Sequence, residues 1–174
     1  GEMMTFRTLL AESSLENKKY LLASKIEDMI NTVVRQISFF EFEKLVHNER
    51  KNGELSSDQI CEFWMKTQSE SLGPHIELTE GYKYFWTYIP HFIHTPFYVY
   101  AYAFGDCLVN VLIQLYDEGL PDFKNNYIEL LKSGGSKHYS EVLKPFNVDL
   151  KNKDSWQKGL SMISGLIDEF EKAI

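Results

Sequence analysis

The chain has 174 residues, of which 44% are hydrophobic and 25% are charged. Its length suits one domain with a buried core, and its composition excludes a wholly disordered chain. The 18 basic and 25 acidic residues leave a net charge of −7, which argues against a phosphate-binding surface and so against nucleic acid as a partner.

Helical periodicity dominates the first part of the chain. Apolar residues recur at three- and four-residue steps after Ser14, which can cap a helix over about residues 14–51. Gly53 follows a basic pair and is expected to stop this helix. The Ser-Ser-Asp triplet at 56–58 predicts the start of a second helix, and residues 69–79, which contain a Gly-Pro pair, predict a loop.

The second half of the chain also predicts helices. Pro96 suits the first turn of a helix that runs to about Glu118. Further helices are predicted over about residues 123–132, 139–143 and 154–173. No stretch alternates with period two for long enough to predict a strand, so the expected fold class is all-α.

The two cysteines, Cys61 and Cys107, lie among apolar residues with no partner at C-x-x-C spacing. This context predicts two reduced, largely buried thiols in a cytoplasmic protein. A structural disulfide is the weaker alternative.

Residues 84–105 contain no Asp, Glu, Lys or Arg, and this stretch of 22 residues is long enough to suggest a membrane-spanning helix. We reject that interpretation because Pro90 and Pro96 interrupt a continuous helix, and the tyrosines and histidines of the segment need polar partners that lipid does not supply. Anchoring of this segment at a membrane surface is also disfavoured, because the net charge of −7 opposes anionic lipid.

The same segment carries candidate catalytic side chains. Tyr98 and Tyr102 are four residues apart, so a helix would present both hydroxyls on one face. His91 precedes them, next to Pro90, and an imidazole with two phenols at a cleft could donate hydrogen bonds to a developing oxyanion. The alternative is an aromatic core whose polar tips bind the backbone.

Metal-binding motifs are absent from the sequence. None of the five histidines is followed by glutamate, so the chain contains no HExxH helix. His91 and His94 are three residues apart and could share a metal, but the surrounding prolines make a regular helix there unexpected. Glu43 and His47 are four apart, and a solvated or core pairing is favoured over a ligand pair. No metal ligand is therefore predicted.

The run from Tyr88 to Gly105 reads YIPHFIHTPFYVYAYAFG and closely resembles the C-terminal signature of oligoendopeptidase F, a branch of the thimet-oligopeptidase-like zinc metallopeptidases. The resemblance extends in order over essentially the whole chain. Other stretches that fit it less specifically are Gly1–Arg7, Asn31–Glu43, Gly53–Ser56, Tyr127–Ser136 and Trp156–Leu160.

This resemblance implies the helical C-terminal part of a zincin-type oligopeptidase catalytic domain, spanning residues 1–174 as a partial domain. It implies that His91, Tyr98 and Tyr102 stabilise the tetrahedral intermediate of peptide hydrolysis and that His94 and Tyr100 contact substrate, the last two being weaker candidates. It also implies that Glu2 orients a zinc-ligating histidine, unless it is a plain carboxylate at a helix end.

In that family zinc is held by HExxH and by a glutamate on the next helix. This sequence departs from the pattern because both are missing, so we expect them just upstream of Gly1 in a parent enzyme. Zn²⁺ is then expected in the parent and no cofactor in this chain, which alone should be inactive. The expected partners are short peptides and the missing N-terminal part.

Two further expectations follow. A wall of the substrate channel that lacks its covering half should expose an apolar, aromatic patch, which could also promote self-association. The alternative function is a free-standing helical module that binds a peptide or another ligand in its aromatic cleft.

Overall fold

The computed structural model describes residues 1–174, which form helices and loops with no β-strand. The prediction of an all-α fold is confirmed. The α-helices are α1 (Glu2–Glu12), α2 (Leu15–Ile30), α3 (Gln36–Arg50), α4 (Ser57–Leu72), α5 (His91–His94), α6 (Tyr100–Asp117), α7 (Phe123–Ser133), α8 (Tyr139–Val142) and α9 (Lys153–Ala173). Two 3₁₀ segments cover Glu80–Tyr88 and Lys144–Phe146.

The long helix predicted over residues 14–51 is confirmed. Helix α2, a π-helical turn at Asn31–Arg35 and helix α3 follow one another without a break. Ser14 acts near its start as predicted, since its Oγ accepts the Asn17 N–H at 3.4 Å. The π turn was not predicted, and just after it the Ser38 hydroxyl donates to the Arg35 carbonyl at 2.9 Å.

Helix α4 begins where the sequence predicts and ends later than predicted. Ser56 caps it in a reciprocal capping box, in which the Ser56 hydroxyl accepts the Gln59 N–H and the Gln59 side chain accepts the Ser56 N–H. The predicted loop start at residue 69 was wrong, because the helix continues to Leu72. Gly73 then leaves the helix with φ +74°, a conformation that glycine adopts without strain.

The prediction that Pro96 lies in the first turn of a helix was wrong. Helix α6 begins at Tyr100, because Phe97 has φ +59° and so breaks helical continuity after Pro96. The structure also corrects the expectation for His91 to His94. These residues form a single helical turn, which starts after Pro90, whose carbonyl accepts the His94 N–H at 2.9 Å.

The chain divides into two compact units. We call residues 29–104 the central unit and residues 1–28 with 105–174 the terminal unit. The core of the central unit is aromatic, since Phe39, Phe42 and Trp64 pack with Val99 and all are buried. The Trp64 indole N–H donates to the Tyr82 carbonyl at 3.0 Å, so its one polar group is paired inside this core.

A buried polar chain also runs through the central unit. The Gln68 amide donates to the Ser38 hydroxyl at 2.9 Å and accepts from the Tyr82 hydroxyl at 3.3 Å. Gln68 is 1% exposed, so these bonds satisfy an amide that would otherwise be costly to bury.

The terminal unit has a mainly aliphatic core. One buried cluster in it consists of Val111, Leu112, Leu115, Leu143, Phe146 and Val148. Helices α6 and α9 approach closely at Gly159, where an added Cβ would lie 2.6 Å from the Cys107 carbonyl oxygen. Glycine is therefore required at this contact for lack of space.

Both thiols match their prediction. Cys61 and Cys107 are buried and free of a disulfide. Burial raises the pKa of the Cys107 thiol to about 11, so this side chain stays protonated at neutral pH. None of the helices combines the length and the apolar character that a membrane crossing requires.

Candidate active site

Three of the predicted site residues meet in the central unit. The His91 Nε2 and the Tyr102 hydroxyl are 3.0 Å apart, and which of them donates depends on the histidine tautomer. Tyr98 completes the group, since its ring centroid lies 5.8 Å from that of Tyr102 and 6.4 Å from that of His91. We call these three residues the His–Tyr cluster.

The cluster faces solvent, which distinguishes it from a core packing arrangement. Tyr98 is 52% exposed and Tyr102 is 42% exposed, while the neighbouring Val99 is completely buried. Val99 thus anchors the start of α6 in the aromatic core, and the two phenols are left accessible to a ligand. Phenol and imidazole groups can donate a hydrogen bond without bringing a formal charge.

Tyr98 and Tyr102 come together in a different way from the one that their spacing in the sequence predicts. Tyr98 precedes α6, so the predicted pairing of Tyr98 and Tyr102 on one helical face is wrong in its mechanism. The pair forms nevertheless, because the backbone enters the helix through short turns in which the Tyr98 and Val99 carbonyls accept the Ala101 and Tyr102 N–H groups.

The two weaker candidates lie on the same segment without joining the cluster contacts. Tyr100 packs its ring against Phe40 at 5.6 Å and remains 46% exposed. His94 is exposed at the end of α5. Neither makes a contact with the His–Tyr cluster that would tie it to the same chemistry.

A strained turn links α5 to the start of α6. Phe97 lies in the left-handed region, which costs a bulky residue about 1–2 kcal/mol. Its N–H donates to the Glu43 carboxylate at 2.8 Å, and its ring lies 4.7 Å from that of His47. Helix α3 therefore holds this turn by one polar contact and by the rings of Phe40 and His47.

Glu43 is 2% exposed, and its second carboxylate oxygen is buried without a hydrogen-bond partner. Burial raises the pKa of Glu43, while the Phe97 N–H and the nearby His47 and His91 oppose that rise. A buried carboxylate with one unsatisfied oxygen is costly, so a plain packing role does not account for it.

Sequence reasoning missed the importance of Glu43. The pairing of Glu43 and His47 was expected to be solvated or part of the core, and the structure supports the second for Glu43 alone, since His47 is exposed. The sequence did contain a signal for this burial, namely the position of Glu43 on the helix. Glu43 follows Phe39 by four residues and so lies on the buried face of α3.

Glu2 belongs to the terminal unit and has a different partner from the expected histidine. Lys25 donates to the Glu2 carboxylate, and this contact lowers the pKa of Glu2. Asp106 also faces this pair, and burial is the main cause that raises its pKa, with the Glu2 charge adding to the rise. Asp106 accepts a hydrogen bond from Asn110 at 3.0 Å.

The residues of this chain do not fit a zinc site. No group of three or more His, Cys, Asp or Glu side chains is placed to hold a metal ion. A catalytic zinc needs three protein ligands around one ion, so this chain does not supply such a set by itself.

Comparison with known proteins identifies the family. Residues 2–162 match Peptidase family M3. The chain is 32% identical over 171 residues to an "Oligoendopeptidase F homolog" of Borreliella burgdorferi and 31% identical over 178 residues to "Oligopeptidase PepF" of Bacillus subtilis. The crystal structure of oligoendopeptidase-F from Enterococcus faecium superposes with a TM-score of 0.88 at 28% identity.

The chain belongs to peptidase family M3, which confirms the resemblance found in the sequence. It spans only part of its relatives. The matches cover 94% of this chain and 29% of the Borreliella protein, 98% and 26% for the Bacillus protein, and 97% and 32% for the Enterococcus structure.

Proposed function

We propose that this chain is the helical C-terminal part of a peptidase catalytic domain, whose parent enzyme hydrolyses short peptides in the cytoplasm. Membership of peptidase family M3 supports the activity. The 29% coverage of the Borreliella relative supports a partial domain. In this proposal the zinc ion and its HExxH motif belong to residues outside these 174.

The His–Tyr cluster is the candidate for stabilising the transition state. When a peptide carbonyl is attacked, negative charge collects on its oxygen, and donors already held in place lower the energy of that state. The observation that carries this role is the contact of His91 with Tyr102 at 3.0 Å beside an exposed Tyr98. The contact orients the imidazole and one phenol, so little rearrangement is needed when charge develops.

The other site residues take supporting roles in this proposal. His94 and Tyr100, which are both exposed, contact the bound peptide. Glu2 orients a zinc-ligating histidine of the parent enzyme, a role that requires it to share or leave its present contact with Lys25. Zinc content of the full-length enzyme tests this role, because Glu2→Gln should lower metal affinity about 10- to 100-fold.

The chain alone is proposed to be inactive and to present a wall of the substrate channel. Exposed apolar and aromatic side chains of the central unit support this wall: Tyr84, Phe85, Tyr88 and Ile93 are each more than half exposed. Such a surface is suited to contact with peptide, with the rest of the enzyme or with a second copy. Sedimentation of the purified chain should reveal self-association, and Tyr88→Ser should weaken it.

The activity test uses the full-length enzyme and an internally quenched oligopeptide. His91→Ala, Tyr98→Phe and Tyr102→Phe should each lower kcat by about 10²–10³, the usual effect of losing one oxyanion donor. Tyr116→Phe is the control, because Tyr116 is an exposed tyrosine of the terminal unit that packs against Phe123. Unchanged kcat and kcat/KM in the three cluster variants would reject the assignment of the His–Tyr cluster.

A further inference from the structure

The contact between Glu43 and the backbone of Phe97 has no role in the proposed function so far. We propose that Glu43 is a positioning residue, which fixes the turn at residues 95–97 and thereby sets the placement of His91 relative to Tyr98 and Tyr102. This inference rests on the proposed function of the His–Tyr cluster. It extends that function to a buried side chain on helix α3.

The connectivity of the chain gives this turn its importance. His91 lies on α5, before the turn, while Tyr98 and Tyr102 lie after it. The only covalent link between the two parts of the cluster is therefore residues 92–97. A change of φ at Phe97 swings one part against the other, and displacements of about 1 Å can cost an active site a factor of about 100.

Glu43 is the group that holds the unfavourable conformation. The Phe97 N–H points to a carboxylate oxygen at 2.8 Å, and a carboxylate is a stronger acceptor than a backbone carbonyl. The contacts of the Phe97 ring with Phe40 and His47 add restraint from the same helix. Strained backbone of this kind persists only where its surroundings determine it, and such positions concentrate at functional sites.

The burial of Glu43 also favours a specific role. Its exposed fraction is 2%, and no Lys or Arg makes an ion pair with it. A leucine or methionine would fill the same space without the cost of desolvating a carboxylate. What these residues lack is an acceptor for the Phe97 N–H.

The test separates loss of the acceptor from loss of charge and from loss of stability. Glu43→Gln keeps an oxygen that can accept the Phe97 N–H, and Glu43→Met removes it at similar volume. Gln68→Met is the matched control, because Gln68 is equally buried and hydrogen-bonded in the central unit but makes no contact with the turn. Where Glu43→Met does not fold, Glu43→Asp replaces it, because the shorter side chain withdraws the oxygen.

Two readouts on the full-length enzyme are used. Hydrogen–deuterium exchange at the Phe97 amide should accelerate about 10-fold or more in Glu43→Met and stay near wild type in Glu43→Gln and Gln68→Met. The kcat for a quenched peptide should fall roughly 10- to 100-fold in Glu43→Met with little change in KM, and Glu43→Gln should restore most of it.

The outcomes distinguish this inference from the proposed function. If Tyr98→Phe leaves kcat unchanged, the proposed function fails and the exchange readout alone decides whether Glu43 holds the turn. If Tyr98→Phe lowers kcat but Glu43→Met does not, Glu43 is not a positioning residue. An equal loss of kcat in Gln68→Met, or no recovery in Glu43→Gln, also overturns the inference.

Discussion

The central and terminal units bury different kinds of side chain. The central unit packs Phe39, Phe42 and Trp64 and also buries four polar residues, whereas the terminal unit packs mainly aliphatic residues and buries one, Asn110. Polar groups in a core cost free energy unless they are paired, but they fix geometry in a way that aliphatic contacts do not. The difference indicates that precise placement matters most in the central unit, where the His–Tyr cluster lies.

The largest expected effect separates buried from exposed aromatic residues within the central unit. Trp64→Ala should lower the free energy of unfolding by about 3–5 kcal/mol, because it empties a core position that is 1% exposed and removes the bond to Tyr82. Tyr88→Ala, at 81% exposure, should change it by less than about 0.5 kcal/mol. Urea denaturation measures both, and similar losses would contradict the division into core and channel wall.

The next prediction concerns the close helix contact of the terminal unit. Gly159→Ala places a methyl group 2.6 Å from the Cys107 carbonyl oxygen and should cost about 1–3 kcal/mol of stability. Gly165→Ala on the same helix meets open space and should gain up to about 1 kcal/mol from helix propensity. Thermal unfolding of the two variants should therefore shift in opposite directions.

Glu43 predicts a pH dependence of stability in the central unit. Because its pKa is raised in the folded chain, the folded state binds more protons than the unfolded state just above the ordinary glutamate pKa. Stability due to this group is therefore greatest at low pH, falls as pH rises through that window and is constant above the raised pKa. His47 and His91 lower the pKa of Glu43 and so reduce the size of this effect.

Glu43→Gln isolates this contribution, since glutamine does not titrate. Urea denaturation from pH 4 upward measures the unfolding free energy of wild type and of Glu43→Gln. As pH rises, wild type should lose stability relative to Glu43→Gln. A difference that is flat with pH, or that moves in favour of wild type, would show that the folded chain does not raise this pKa.

The smallest effect is expected at a surface ion pair of the terminal unit. Arg7 binds Asp117 through two hydrogen bonds of 2.9 and 2.7 Å, which raise the pKa of Arg7. Both side chains are more than a third exposed, so Asp117→Asn should cost less than about 1 kcal/mol. High salt should reduce the difference further.

Much of the fold could be predicted because its signals are local. Apolar spacing and the serines at 14 and 56 located the helices, and both caps form in the structure. The start of α6 could not be predicted from Pro96 alone. It depends on Phe97 taking a left-handed conformation, which is held by Glu43 from a helix 54 residues away in sequence.

The residues of the candidate site could be predicted from the sequence, but the contacts that bring them together could not. The signature from Tyr88 to Gly105 identified His91, Tyr98 and Tyr102, and these residues do meet. Their meeting depends on the turn and on Val99 in the core, which no local pattern reveals. Glu43 was overlooked for the same reason, because its significance lies in a contact distant in sequence.

In the proposed function, the His–Tyr cluster binds the transition state more tightly than the substrate. The most direct measurement compares the affinity of the full-length enzyme and its Tyr98→Phe variant for a tetrahedral phosphinic peptide and for an uncleaved peptide of the same sequence. We expect Tyr98→Phe to weaken phosphinate binding about 100-fold or more and to leave peptide binding nearly unchanged. Equal weakening for both ligands, or none for either, would contradict it.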